Sequence, residues 1–241
     1  AHNGDLAAAA ETGLRTAFVH DENGDPVQLV LDRVAVPWRE VRAGAGGAAE
    51  ILDSERGTPF DPARPPLLRA VLVRTDDDRA TLVLTNHHLV LDGWSMPLLV
   101  REILTHYISR DALPEPAPYR DYLRWWREQD TDRSLQAWSE LLAGVTEPTL
   151  VAPNAETSFE DNPGEIDIDL PDELLTALTE QSRETGTTVN TVVQVAWALV
   201  LGRMLTRSDV VFGATVSGRP AELPGVENML GLFINTVPVR V

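Results

Sequence analysis

Two apolar runs, LLRAVLVR at 67–74 and ATLVLTNHH at 80–88, are separated only by the charged segment TDDDR. Runs of this length, rich in Val, Leu and Thr and joined by a short polar turn, pair as antiparallel strands. Strands this apolar need cover, which constrains the rest of the chain to supply packing helices. Residues 96–110 (MPLLVREILTHYISR) have helical apolar spacing, with Ser95 as the expected N-cap and Pro97 in the first turn. Upstream, LRTAFVHDENGDPVQLVL at 14–31 reads as strand, turn, strand, because Asn-Gly inside DENGDP is a hairpin signal. The GAGG at 44–47 lacks a following Lys-Ser/Thr pair and reads as a flexible connector rather than a phosphate-cradling loop.

Two further helices are predicted at Tyr119 to Gln129 and Ser134 to Leu142. The chain then becomes rich in Pro, Thr, Asn and acidic residues. This divides it into an N-terminal lobe at 1–146, a linker at 147–164 and the beginning of a C-terminal lobe at 165–241. The second lobe reads as strand EIDIDL at 165–170, a helix opened by Pro171 and Asp172, and a buried apolar helix capped by Thr188 or Asn190. Strands DVVFGATVSG (209–218) and GLFINTVPVRV (231–241) follow, joined by a Gly/Pro loop. The expected class is α+β: mostly antiparallel or mixed sheet covered by helices. The last strand runs to the end without a closing turn, and a strand that apolar needs neighbours on both sides. More protein, a remainder of this domain, is expected to complete it.

Composition narrows the partners. A net charge of -17 argues against nucleic acid or an anionic membrane surface. No cysteine is present, which excludes disulfides, cysteine nucleophiles and thiolate metal sites. The first residues lack a basic segment followed by an apolar core, and the apolar stretch 189–205 is broken by Asn190, Gln194 and Arg203. The expected location is the cytoplasm.

Chemistry concentrates at NHHLVLDGWS, residues 86–95, where two of the five histidines stand together at a strand end. In an extended strand, adjacent side chains face opposite ways, so His87 and His88 are expected to do different jobs. Imidazole titrates near neutrality and can accept a proton at pH 7. Four readings of the pair follow. They could be ordinary core or surface histidines, or a metal site, which opposite-facing rings serve badly. They could belong to a serine-hydrolase triad, although no G-x-S-x-G is present. The fourth is a histidine base in a cleft serving acyl transfer.

HHLVLDGWS resembles the HHxxxDG signature of nonribosomal peptide synthetase condensation domains, members of the chloramphenicol-acetyltransferase-like superfamily. LRTAF (14–18) is similar to the end of that family's RHExLRTxF stretch, YRDYLRWW (119–126) to YxDYxxW, and GLFINTVPVR (231–240) to GxFxNTxxxR. SGRP (217–220) also stands where the family has a similar loop. AAET occupies the place of RHE, and the motifs after GLFINT are missing, so the chain resembles the middle of such a domain.

The resemblance implies amide formation between a donor acyl thioester and the amine of an acceptor aminoacyl thioester. Both substrates ride on 4'-phosphopantetheine of upstream and downstream carrier proteins, with neighbouring synthetase domains as partners and no cofactor or metal bound by this domain. It implies His88 as the histidine that takes a proton from the amine or orients it, with His87 and Gly93 beside it. Asp92 would hold the loop by a salt bridge, for which Arg15 is the expected partner. Asn235 would face the substrate tunnel, and Trp94 and Ser95 would serve as an apolar anchor and a helix cap lining the site. Tyr119, Asp121 and Trp125 are expected to pack the lobe, and Arg120, Arg124 and Arg127 are candidates for carrier docking. The implied alternatives are an ester-forming relative and a non-catalytic domain of the same fold that recruits a partner enzyme or carrier.

Overall fold

The computed structural model describes residues 12–44, 46–76, 78–109, 117–153 and 166–241. The chain divides into two compact units, one made of Ala1–Gln129 and Ser217–Ile234, the other of Asp130–Val216 and Asn235–Val241. This division departs from a linker at 147–164. The break falls before the helix at 131–141, and the segment 217–234 returns to the first unit.

In the first unit a 3-10 turn (Thr12–Arg15) leads into strands β1 (Thr16–His20) and β2 (Pro26–Val30), antiparallel with Thr16 opposite Val30. The Asp21 carboxylate accepts the N–H groups of Asn23 and Asp25 at 2.8 and 2.9 Å, so the hairpin turn is tied by its first side chain. The expected pair of apolar runs forms β4 (Leu68–Arg74) and β5 (Ala80–Asn86), antiparallel with Leu68 opposite Asn86. An unanticipated strand, β3 (Trp38–Arg42), joins β4 in parallel. The supposed connector at 44–47 instead opens a helix, α1 (Gly47–Arg56). Gly46 stands before it at φ 92, a conformation that glycine adopts without steric cost.

Strand alternation explains how this sheet is covered. Val71 and Val73 point, with Val83, toward Ala48, Ile51 and Leu52 of α1. Leu68 and Ala70 face the other way, toward Leu14 and toward Leu99 and Ile103 of helix α2 (Ser95–Ser109). On the α1 side, Glu55 is buried and pairs with Arg39 at 2.7 Å and Arg69 at 2.9 Å, which satisfies a charge that burial would otherwise penalise. Helix α3 (Tyr119–Arg127) lays Tyr119 and Tyr122 against Val226, Met229 and Phe233 of the returning segment.

The second unit contains α4 (Thr131–Leu141), α5 (Asp172–Glu184), α6 (Val189–Leu205) and the antiparallel pair β6 (Val211–Val216) and β7 (Asn235–Arg240). The Asp130 and Thr188 side chains cap α4 and α6 by accepting the N–H groups of Arg133 and Thr191. Two expectations need correction here. Residues 166–170 form no strand: none of the described strands pairs with them, and Ile166 and Ile168 are exposed. Helix α6 is not buried throughout. Ala198 and Leu201 pack on Val210 and Phe212, while Val193, Trp197, Leu199 and Met204 remain exposed, because a single face of this apolar helix meets the sheet. Among the described residues, no single helix is long and apolar enough to cross a membrane.

Candidate functional site

Strand β5 ends at Asn86, and the chain turns at once. The His87 N–H still reaches Leu67 O at 2.9 Å, continuing the ladder, while His87 O accepts the Val90 N–H at 3.2 Å and closes a turn over 87–90. The two histidines are therefore separated by a turn and not by strand pleating, since β-geometry stops one residue earlier. His87 is half-buried, with its ring edge-on to Phe60 at 6.3 Å, and its Nδ1 accepts the Leu89 N–H at 3.1 Å. His88 is exposed. Val90 and Leu91 then plunge into the core beside Leu14, Leu67 and Leu98.

That descent places Asp92 in the interior at 1% exposure, out of contact with solvent. Its Oδ1 accepts the Ser95 N–H at 2.8 Å and its Oδ2 accepts the Phe233 N–H at 3.0 Å. The Arg219 guanidinium stands 3.6 Å away and is itself only 5% exposed. Burial alone would raise the pKa of this carboxyl. The adjacent Ser95 side chain, hydrogen bonds from the Ser95 and Phe233 backbone N–H groups, and the Arg219 charge outweigh it and hold the pKa below the usual carboxylate value. Asp92 is thus a charged internal brace and not a group within reach of a substrate.

Three expectations change at this node. The cation beside Asp92 is Arg219, not Arg15. The Arg15 guanidinium donates to the Leu31 and Asp32 carbonyls, tying the 3-10 turn to the end of the hairpin. Second, Ser95 does not cap α2; it is the first helical residue, and Asp92 supplies the cap by accepting its N–H. Third, Ser95 is fully enclosed and cannot line a substrate site. Its Oγ donates to Gly231 O at 2.8 Å and accepts from Arg219 Nη2 at 2.9 Å and from the Gly231 N–H at 3.1 Å.

Arg219, from the SGRP stretch, is the residue that sequence reasoning missed as a brace. Besides Ser95 and Asp92 it binds the Val226 carbonyl and, at 3.0 Å, the Met229 carbonyl, and it lies 3.7 Å over the Phe233 ring. Close backbone approach makes this node compact. A Cβ on Gly218 would come within 2.1 Å of Phe233 O, and one on Gly231 within 2.4 Å of the Tyr119 ring. Tyr119 donates from its hydroxyl to Leu232 O at 2.6 Å, and burial, with the neighbouring Tyr122 and Asp92, pushes its pKa up. Of the other residues expected to pack the lobe, Trp125 stacks on Tyr122, whereas Asp121 pairs with Arg124 on the surface of α3.

The remaining candidates sit as follows. Gly93 faces open space. Trp94 is 57% exposed and is held by its indole N–H, which donates to Glu227 O at 3.1 Å, so it is less an apolar anchor than a surface strut. Asn235 opens β7 in the second unit, exposed, its Oδ1 accepting the N–H of Thr236 at 2.8 Å.

An exposed imidazole thus stands on a turn whose continuation is held in a buried Asp–Arg–Ser node within the first unit. The chain belongs to the condensation domain family, whose family model matches residues 9–241. With bacitracin synthase 3 of Bacillus licheniformis it is 39% identical over 244 residues, a match covering 95% of this chain and 4% of that protein. With chondramide synthase cmdD of Chondromyces crocatus the identity is 38% over 240 residues, covering 94% of this chain and 6% of that protein. Among solved structures, SgcC5 of Streptomyces globisporus superposes with a TM-score of 0.75 at 26% identity, covering 98% of this chain and 56% of that one. The X-domain in complex with OxyB from teicoplanin biosynthesis gives 0.75 at 26% identity, covering 99% and 56%. The chain thus spans a few per cent of these synthetases and just over half of these two structures.

Proposed function

We propose that this chain forms the histidine-bearing part of a condensation domain that joins a donor acyl or peptidyl thioester to the amine of an acceptor aminoacyl thioester. Both substrates are delivered on the phosphopantetheine arms of carrier proteins. The observation that carries this reading is the contrast between neighbours: His88 is exposed, while Asp92, four residues on, is buried and charged in a node that fixes the turn. The acceptor amine forms a C–N bond to the thioester carbonyl carbon as the C–S bond breaks. The amine proton passes by way of the His88 imidazole to the departing thiol.

Base assistance of this kind is worth ~10²–10⁴-fold. Holding amine and thioester together supplies effective molarities of ~10⁵–10⁸ M, so positioning outweighs the base. The test uses the full-length polypeptide, two carrier proteins loaded with model substrates, and intact-mass detection of the extended acyl carrier. His88→Ala should lower the rate by about 10²-fold or more, leaving product above background. Unchanged product formation in His88→Ala would refute catalysis by this imidazole. It would favour instead a recruiting role, the reading supported by the likeness to an X-domain in complex with OxyB.

A further inference from the structure

The turn that presents His88 is tied by the histidine before it. The His87 backbone carbonyl accepts the Val90 N–H, and its imidazole Nδ1 accepts the Leu89 N–H at 3.1 Å. A side-chain acceptor bonded to the N–H two residues later is the arrangement by which Asn and Asp initiate turns. Nδ1 of histidine stands the same number of bonds from Cα as Oδ1 of asparagine. Because Nδ1 accepts here, its lone pair is directed at the Leu89 N–H. Edge contact with Phe60 fixes the ring plane, and Phe60 is held in turn by the Arg69 guanidinium, 3.9 Å from its centroid. Arg69 is anchored on the buried Glu55. The ring is thus oriented from the sheet side and spends its lone pair on the backbone.

We propose that His87 is a positioning residue whose imidazole Nδ1 replaces the usual turn-initiating amide oxygen, locking the backbone at Leu89 and thereby aiming His88. This deepens, and rests on, the reading of His88 as the group that meets the amine. It assigns His87 no proton transfer: protonating Nδ1 would remove the acceptor that holds the turn.

The test compares His87→Ala, His87→Phe and His87→Asn in the full-length polypeptide by two readouts: amide hydrogen exchange resolved at Leu89, and kcat and KM for amide formation. Phenylalanine preserves ring packing on Phe60 without an acceptor, whereas asparagine preserves the acceptor without the ring. One net hydrogen bond corresponds to about two- to tenfold, so Ala and Phe should each raise Leu89 exchange and lower kcat by about that factor, with KM little changed. Asparagine should recover most of both losses. Recovery by Phe, or failure of Asn to exceed Ala in Leu89 protection, would overturn the proposal. The exchange readout does not depend on catalysis. An unmodified polypeptide that makes no amide, or a His88→Ala variant that makes as much, sinks the functional reading alone, while Leu89 protection still decides the role of His87.

Discussion

Removing the Arg219 side chain is the sharpest perturbation of the node beneath His88. Alanine at this position deletes the guanidinium that binds the Val226 and Met229 carbonyls, Ser95 Oγ at 2.9 Å and the 1%-exposed Asp92 carboxylate at 3.6 Å. Breaking a buried pair by removing one partner costs ~3–5 kcal/mol, because the other charge is left uncompensated. Asp92 retains the N–H groups of Ser95 and Phe233, so the loss belongs at the lower end, about 3 kcal/mol. With a urea slope of ~2–3 kcal/mol per molar, the midpoint should fall by about 1–1.5 M. Tryptophan fluorescence is the natural probe, since the Arg219 guanidinium lies 6.0 Å from the Trp94 ring. Arg15→Ala is the internal control. It removes bonds that, among the described residues, go to the Leu31 and Asp32 carbonyls, worth about 1 kcal/mol together. A double-mutant cycle pairing Arg219→Met with Asp92→Asn should return a coupling of ~1–3 kcal/mol. Additive losses, or an Arg15→Ala shift equal to that of Arg219→Ala, would refute Arg219 as the partner of Asp92.

Acid should erode the same node. The Asp92 pKa is lowered in the folded state relative to 3.8, so its contribution is fully present above that value and is lost as pH falls through the folded pKa. Urea midpoints measured from pH 6 down to about 2.5 should therefore converge for the parent chain and Asp92→Asn at the acid end. Parallel curves across that range would contradict a charged brace. Gly218→Ala should destabilise by at least ~1–3 kcal/mol, because its Cβ would meet the Phe233 carbonyl, which cannot swing away as a side chain could. Gly93→Ala, whose Cβ meets open space, should leave the thermal midpoint within about 1–2 °C.

The parts legible in the sequence are those governed by local pattern. Alternation and a short polar turn were enough for β4 and β5, and Asn-Gly for the β1–β2 hairpin. Strand β3, WREVR, escaped because charged residues interrupt its apolar pattern; its pairing is decided by the neighbouring β4. Helix α1 escaped because its glycine-rich start looks like a connector until Gly46 is seen to adopt a left-handed conformation before the first turn. At the site, DGW preceding Ser95 held a usable signal: an aspartate three residues before the N–H it accepts is a capping pattern. The choice between Arg15 and Arg219 was not legible, since either arginine is long enough and only the tertiary path of 217–234 decides. The described part of the expected strand, 166–170, shows the converse error. Its alternating pattern suits a strand, but pattern alone supplies no pairing partner.

The path of that returning segment also orders events during synthesis. Asp92 and Phe233, whose N–H it binds, are 141 residues apart, which at a ribosomal rate of ~5–20 residues per second is about 7–28 s of translation. The histidine turn can be made early, from β5 and its own backbone bonds. Its carboxylate, however, has the Ser95 N–H from the start but lacks its Arg219 and Phe233 partners until those residues emerge. A nascent first unit therefore carries an open, acidic scar in its core during that interval, the point where chaperones or proteases would find it.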